Sequence, residues 1–165
     1  MDTFFEQIVK IRLSGKVKAV IFGILFVDAL IIAGVLLFTL AYSLPLSVLV
    51  VGVVIWGSYK LLGMTSIEYE YIFTNGDLDF DKIISKSSRK RMVSVNCSKV
   101  QKYGDYTDGM IAPGSVNNTY HFCNPGDKAK YMIVPHKNEG NIMIVFAPDE
   151  RLADAIEKSL PRIAK

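Results

Sequence analysis

From Ala19 to Leu40 the chain is apolar at almost every position, and Asp28 is the one charge in the run. A second apolar run, Leu44 to Tyr59, begins after only three further residues. A helix of about 20 apolar residues matches the ~30 Å hydrocarbon core of a bilayer. The pattern therefore predicts two transmembrane helices, at about 19–41 and 44–62, that return across the same membrane as a hairpin. Asp28 opposes insertion by roughly 2.5–3.5 kcal/mol at a helix centre. The 15 Val, Ile, Leu and Phe residues between Val20 and Leu40 outweigh it, contributing very roughly 5–9 kcal/mol. Trp56 and Tyr59 suit the headgroup level at the end of the second run, with Lys60 placed to snorkel.

A cleaved signal peptide is the competing reading of the first run, since Lys10, Arg12, Lys16 and Lys18 precede it. The run is too long for a signal core, lacks a clear small-x-small site and is followed at once by another span. Those basic residues, the uncharged Ala41 to Pro45 connection and Lys60 after the second run place both termini in the cytoplasm by the positive-inside rule. Localisation is thus the cell membrane, multi-pass.

After Thr65 the periodicity changes from solid runs to alternation. Ile67, Tyr69, Tyr71 and Phe73 alternate with Glu68 and Glu70, Ile72 being the exception; Asn75-Gly76 then supplies a two-residue turn, and Leu78 and Phe80 alternate with Asp77 and Asp79. In the register of such a hairpin Phe73 faces Leu78, Tyr71 faces Phe80 and Ile67 faces Ile84, all on one side. The same register opposes Glu70 to Asp81, which requires a nearby cation, with Lys90 or Arg91 as candidates. Further strands are predicted at Arg89–Asn96, Asn118–Cys123, Lys128–Val134 and Asn141–Phe146. A helix is predicted from Pro148 at the first helical position to about Pro161, with Leu152, Ile156 and Leu160 on its apolar face. The fold class is α+β: an N-terminal transmembrane helical hairpin, then a mostly antiparallel β domain with a C-terminal helix. Residues 1–64 hold the amphipathic N-terminus and both spans, and 65–165 form the cytoplasmic domain. Phe4, Phe5, Ile8 and Ile11 recur at helical spacing, so Met1 to Lys18 reads as an amphipathic surface helix, or else as a plain extension orienting the first span.

The stretch Ile-Glu-Tyr-Glu-Tyr-Ile-Phe-Thr-Asn-Gly-Asp-Leu-Asp at Ile67 to Asp79, after two spans and before a basic strand, later strands and a terminal helix, resembles small uncharacterised bacterial membrane proteins. Their soluble part is similar to bacterial pleckstrin-homology-like domains. The resemblance covers nearly the whole chain, is most specific over Glu68 to Val95, and carries no catalytic motif. It implies a curved sheet or partly open barrel capped by a helix.

Net charge is +3, with most of the excess beside the spans. The domain carries nearly as many acids as bases and no recognition-helix signature, which argues against nucleic acid as a partner. The basic segment Lys86, Arg89, Lys90 and Arg91 is the candidate contact for anionic lipid or a protein partner, each basic residue near the surface contributing about 1 kcal/mol. The alternative is a solvated hairpin end balancing Asp77, Asp79 and Asp81. Cys97, Cys123, His121 and His136 lack CxxC or HExxH spacing, so no catalytic, metal or cofactor site is predicted, and the cysteines read as small buried hydrophobes. Lys102 to Asn117, with Tyr103, Asp105, Tyr106, Asp108, Gly109 and Pro113, reads as a long loop able to bind a partner. Asp28 is the candidate intramembrane polar site. The functional expectation is a membrane-anchored, non-enzymatic interaction module, possible partners being a protein or a second copy. The alternative is an accessory subunit of a membrane transport or channel complex that uses Asp28 at a helix interface.

Overall fold

The computed structural model describes the chain apart from residues 1–2, 42–43, 111–115, 163 and 165, and apart from the side chains of residues 38, 40, 41 and 44. It divides into two compact units, Arg12–Ser66 and the combination of Met1–Ile11 with Ile67–Lys165.

The helical unit holds α1 (Gly15–Ala41) and α2 (Leu44–Gly63). At 1.5 Å per residue they are about 40 and 30 Å long, and both are long and apolar enough to cross a membrane. α1 starts earlier than the apolar run because Ser14 caps it: the Val17 amide donates to its hydroxyl oxygen at 3.4 Å and the Lys18 amide to its carbonyl at 3.0 Å. The Thr39 hydroxyl donates to the Val35 carbonyl at 2.6 Å, which satisfies it within the helix. The predicted Ala41 to Pro45 connection lies partly outside the described residues.

The other unit is built on two four-stranded sheets. The first, wholly antiparallel, has the order β1 (Phe4–Lys10), β2 (Ile67–Thr74), β3 (Asp77–Ile84), β4 (Ser88–Asn96). The β2–β3 pairing is the one the alternation predicts, Phe73 with Leu78, Tyr71 with Phe80 and Ile67 with Ile84. Its turn has positive φ at both Asn75 (50°) and Gly76 (95°), which these two residue types tolerate. β1 corrects the N-terminal reading: Phe4 to Lys10 is a strand on β2, from Phe4 with Thr74 to Lys10 with Glu68. The pairs at positions 4, 5 and 8, 9 imitate a helical repeat. The strand instead turns Phe5, Gln7 and Val9 inward, and hydrogen bonding to β2 outweighs the local pattern.

The second sheet has the order β5 (Lys102–Asp105), β7 (Lys130–His136), β8 (Gly140–Phe146), β6 (Asn118–His121), with β6 parallel to β8. The predicted 102–117 loop thus begins as a strand paired with β7, and its Pro113 lies outside the described residues. α3 (Glu150–Ser159) follows. Asp149 is its N-cap, accepting from the Leu152 amide at 2.8 Å, so Pro148 precedes the cap rather than opening the helix.

One main core joins the sheets and α3. Tyr71, Phe73 and Phe80 meet Phe122, Met132, Ile144 and Phe146, and Leu152 and Ile156 close it. Tyr71 ties the layers by donating to the Phe122 carbonyl at 2.6 Å. Tyr131, Ile133, Met143 and Val145 form a second cluster on the opposite face of β7 and β8. Burial on both faces explains why these two strands are continuous apolar runs rather than alternating ones.

Candidate interaction surface

The basic segment begins in the β3–β4 turn and runs up β4. Register fixes its position: Ile84 pairs with both Ile67 and Ser88, so the turn lies at the end of the sheet where β2 begins. β1 ends there too, the Ile11 amide donating to the Ile67 carbonyl at 3.1 Å. The chain leaves for the helical unit and returns from it at this end, while the Asn75-Gly76 turn lies at the other.

The four cations part company in the sheet. Arg89 and Arg91 lie on its outer face and hold carboxylates: Arg89 donates to Glu70 Oε1 at 2.8 Å, and Arg91 reaches Asp79 Oδ2 at 2.9 Å and Asp81 Oδ1 at 3.2 Å. The predicted opposition of Glu70 and Asp81 is present. Its counter-ions are Arg89 for the one and Arg91 for the other. Lys90 pairs across the ladder with Lys82 and Lys86 sits exposed in the turn; among the described residues none of these lysines has an ion pair. A bulge between Phe80 and Asp81 in the β3–β4 pairing accommodates Met92 as an extra residue. Lys82 was not anticipated, because its proximity to Lys90 depends on pairing across the turn.

Glu70 and Asp81 are buried although they face away from the main core, at 0% and 4% exposure. Among the described residues no donor reaches Glu70 Oε2. The nearby Glu6 carboxyl is a hydrogen-bond partner only when one of the two carries a proton. Burial first, then this Glu6 interaction, holds the Glu70 carboxyl above the usual carboxylate range, with Arg89 pulling it down. This face is an internal charge balance with the lysines outside it.

Asp28 stands in the middle of α1, partly exposed, in a cleft of about 420 Å³ between α1 and α2 that Ser58, Tyr59 and Leu62 also line. Among the described residues no hydrogen bond or ion pair reaches its carboxyl. Cys97 is fully buried and its thiol is pushed up to about 12 by burial; Cys123, half-buried, is pushed up to about 11 for the same reason. Both are neutral thiols near pH 7, which is the wrong state for a nucleophile. His121 lies edge-on to Tyr106. Among the described residues no three His, Cys, Asp or Glu side chains converge to hold a metal ion. From the predicted loop, Tyr103 packs against the main core, Tyr106 against the second cluster, and Asp108 accepts from the Gly126 amide at 3.0 Å.

The chain belongs to the family described as Bacterial PH-like domain (DUF6106), whose family model matches residues 1–165. No curated protein and no solved structure matches it.

Proposed function

We propose that this bacterial PH-like protein is a membrane-anchored, non-enzymatic interaction module. In this reading α1 and α2 cross the cell membrane and hold the sheet unit on the cytoplasmic side, where Lys82, Lys86 and Lys90 meet anionic lipid. The β1–β2 pairing supports the hairpin, because strands flanking the two helices pair only if the chain crosses an even number of times. The observation that carries the lipid contact is the register: the lysines, without an ion pair among the described residues, lie at the end of the sheet where the chain leaves for α1 and returns from α2. Three lysines at about 1 kcal/mol each orient a domain that the helices already anchor. Arg89 and Arg91 serve by neutralising the carboxylates behind them.

Trypsin cleavage of the full chain in vesicles tests the reading. Cleavage after Lys86 should be slower in vesicles containing anionic lipid than in zwitterionic ones, with exposed Lys137 as the control site. The difference should vanish near 1 M salt, where the screening length is about 3 Å. Equal rates at Lys86 in both vesicle types would reject lipid contact.

The cleft around Asp28 favours a second reading, an accessory role in a membrane transport or channel complex. A carboxyl at mid-helix without an internal partner is stabilised by a group from another helix. Asp28→Leu should then dissolve a complex that the wild type forms in mild detergent. An unchanged assembly would leave Asp28 without that role.

A further inference from the structure

The four sheet edges are not equally protected. β4 carries a bulge and a run of exposed cations, β5 is short and its Tyr103 amide donates to the Ala164 carbonyl at 3.0 Å, and β6 has only four residues. β1 has seven residues, no bulge and no proline. It also exposes two large apolar side chains, Phe4 at 59% and Ile8 at 50%. The Asn75 amide donates to the Thr3 carbonyl and the Ile11 amide to that of Ile67, so the odd-numbered residues of β1 face β2. Phe4, Glu6 and Ile8 turn their N–H and C=O groups to the free side, where none meets a partner among the described residues.

Beside that edge runs a groove of about 510 Å³. Phe5 and Phe73 form its apolar floor, and Arg151, Asp154 and Lys158 of α3 form its rim. Neither Arg151 nor Lys158 has an ion pair among the described residues. With Asp154 counted the rim is net positive by one charge. The Gln7 side chain holds the wall in place: its Nε2 donates to the Ala147 carbonyl at 2.9 Å and its Oε1 accepts from the Asp149 amide at 2.8 Å.

We propose that the groove binds an extended acidic segment of a partner protein, which adds to β1 as a further strand. Main-chain bonds to Phe4, Glu6 and Ile8 supply the affinity, and alternate side chains of the segment drop toward the floor. Carboxylates at those positions meet Arg151 and Lys158, seven residues and about 10 Å apart along the helix. This site lies at the end of the sheet away from Lys86 and does not depend on lipid contact.

The test uses the full chain in nanodiscs and short labelled peptides of alternating valine and glutamate, or valine and lysine, read by fluorescence anisotropy. The glutamate peptide should bind and the lysine peptide should not. Glu6→Pro removes an N–H that points to the free side, so β1 keeps its bonds to β2 while strand addition is blocked. Its binding should weaken about tenfold or more. Glu6→Gln, which keeps the N–H and loses only the charge beside Glu70, is the control and should bind as the wild type does. Arg151→Glu with Lys158→Glu leaves the strand untouched and should reverse the peptide preference. Equal binding of both peptides, or binding that survives Glu6→Pro in a chain with unchanged thermal unfolding, overturns the proposal. It is also overturned if no peptide binds and Glu6→Pro converts a dimer into a monomer, since a second copy then holds the edge.

Discussion

In the sheet unit Phe80 and Phe146 are fully buried, whereas in the helical unit Phe22 and Leu37 leave 72% and 71% of their surface exposed. Similar side chains are deployed inside-out. The sheet unit excludes water by stacking its aromatics on one another, Phe80 lying 4.8 Å from Phe122 and edge-on to Phe146 at 5.3 Å. The helices satisfy their own backbones and show an apolar exterior, the arrangement suited to a lipid solvent. The contrast predicts that one kind of substitution has opposite consequences in the two units.

The largest effect belongs to the aromatic core. Phe80→Ala should destabilise the sheet unit by about 3–5 kcal/mol, read from its denaturant midpoint, because neighbours on all sides cannot collapse into the space. Membrane retention after alkaline extraction should not change. Loss of both together would mean that the units are not separable.

Next comes β1, whose two faces repeat the contrast on a small scale. Gln7→Ala removes both hydrogen bonds to the start of α3 and should cost about 1–3 kcal/mol. Ile8→Ala, on the exposed face, should stay within about 0.5 kcal/mol. Equal costs in urea denaturation would show that β1 is not held through Gln7.

A smaller effect concerns Glu70. Because its folded-state pKa is raised, its contribution to stability is fully present below the unfolded value and is lost as pH rises through the folded value. Glu70→Gln should flatten this dependence and leave the unit at neutral pH at least as stable as the wild type, since an amide still accepts from Arg89 and adds a donor for Glu6. A Gln variant that melts earlier than wild type near pH 7, yet matches it near pH 5, would reverse the assigned sign.

The smallest change is expected where exposure is greatest. Phe22→Ala should not move the unfolding of the sheet unit and should reduce helix insertion by only about half a kcal/mol. A large shift in the melting of the sheet unit would reveal dependence on the helices that their separate cores do not provide.

Several elements were legible because they rest on signals carried by neighbouring residues. The two helices follow from long apolar runs that Asp28 alone interrupts with a charge, and the β2–β3 register follows from alternation around Asn75-Gly76 that only Ile72 breaks, so that Tyr71 meets Phe80 as written. The C-terminal helix was readable from Leu152, Ile156 and Leu160, with its start displaced only because Asp149 caps it. The second sheet was harder. β5 is four residues long, and its pairing with β7 joins segments far apart in the chain, so it carries no periodic signal of its own. The basic segment was visible as a run of charge. Its division into arginines that hold Glu70, Asp79 and Asp81 and lysines without an ion pair among the described residues was not visible, because a β-bulge and a cross-strand register decide which cation faces which carboxylate.

By itself the sequence determined the two helices that are long and apolar enough to cross a membrane and the central hairpin, since hydropathy and turn chemistry act over short distances. Only the tertiary structure decided that Phe4 to Lys10 is a strand. Its apolar pairs fit a helix, but the main-chain groups of β2 lie across the whole helical hairpin in sequence and beside it in space, and their hydrogen bonds outweigh the local pattern. The same long-range pairing decided which edge of the sheet was left open.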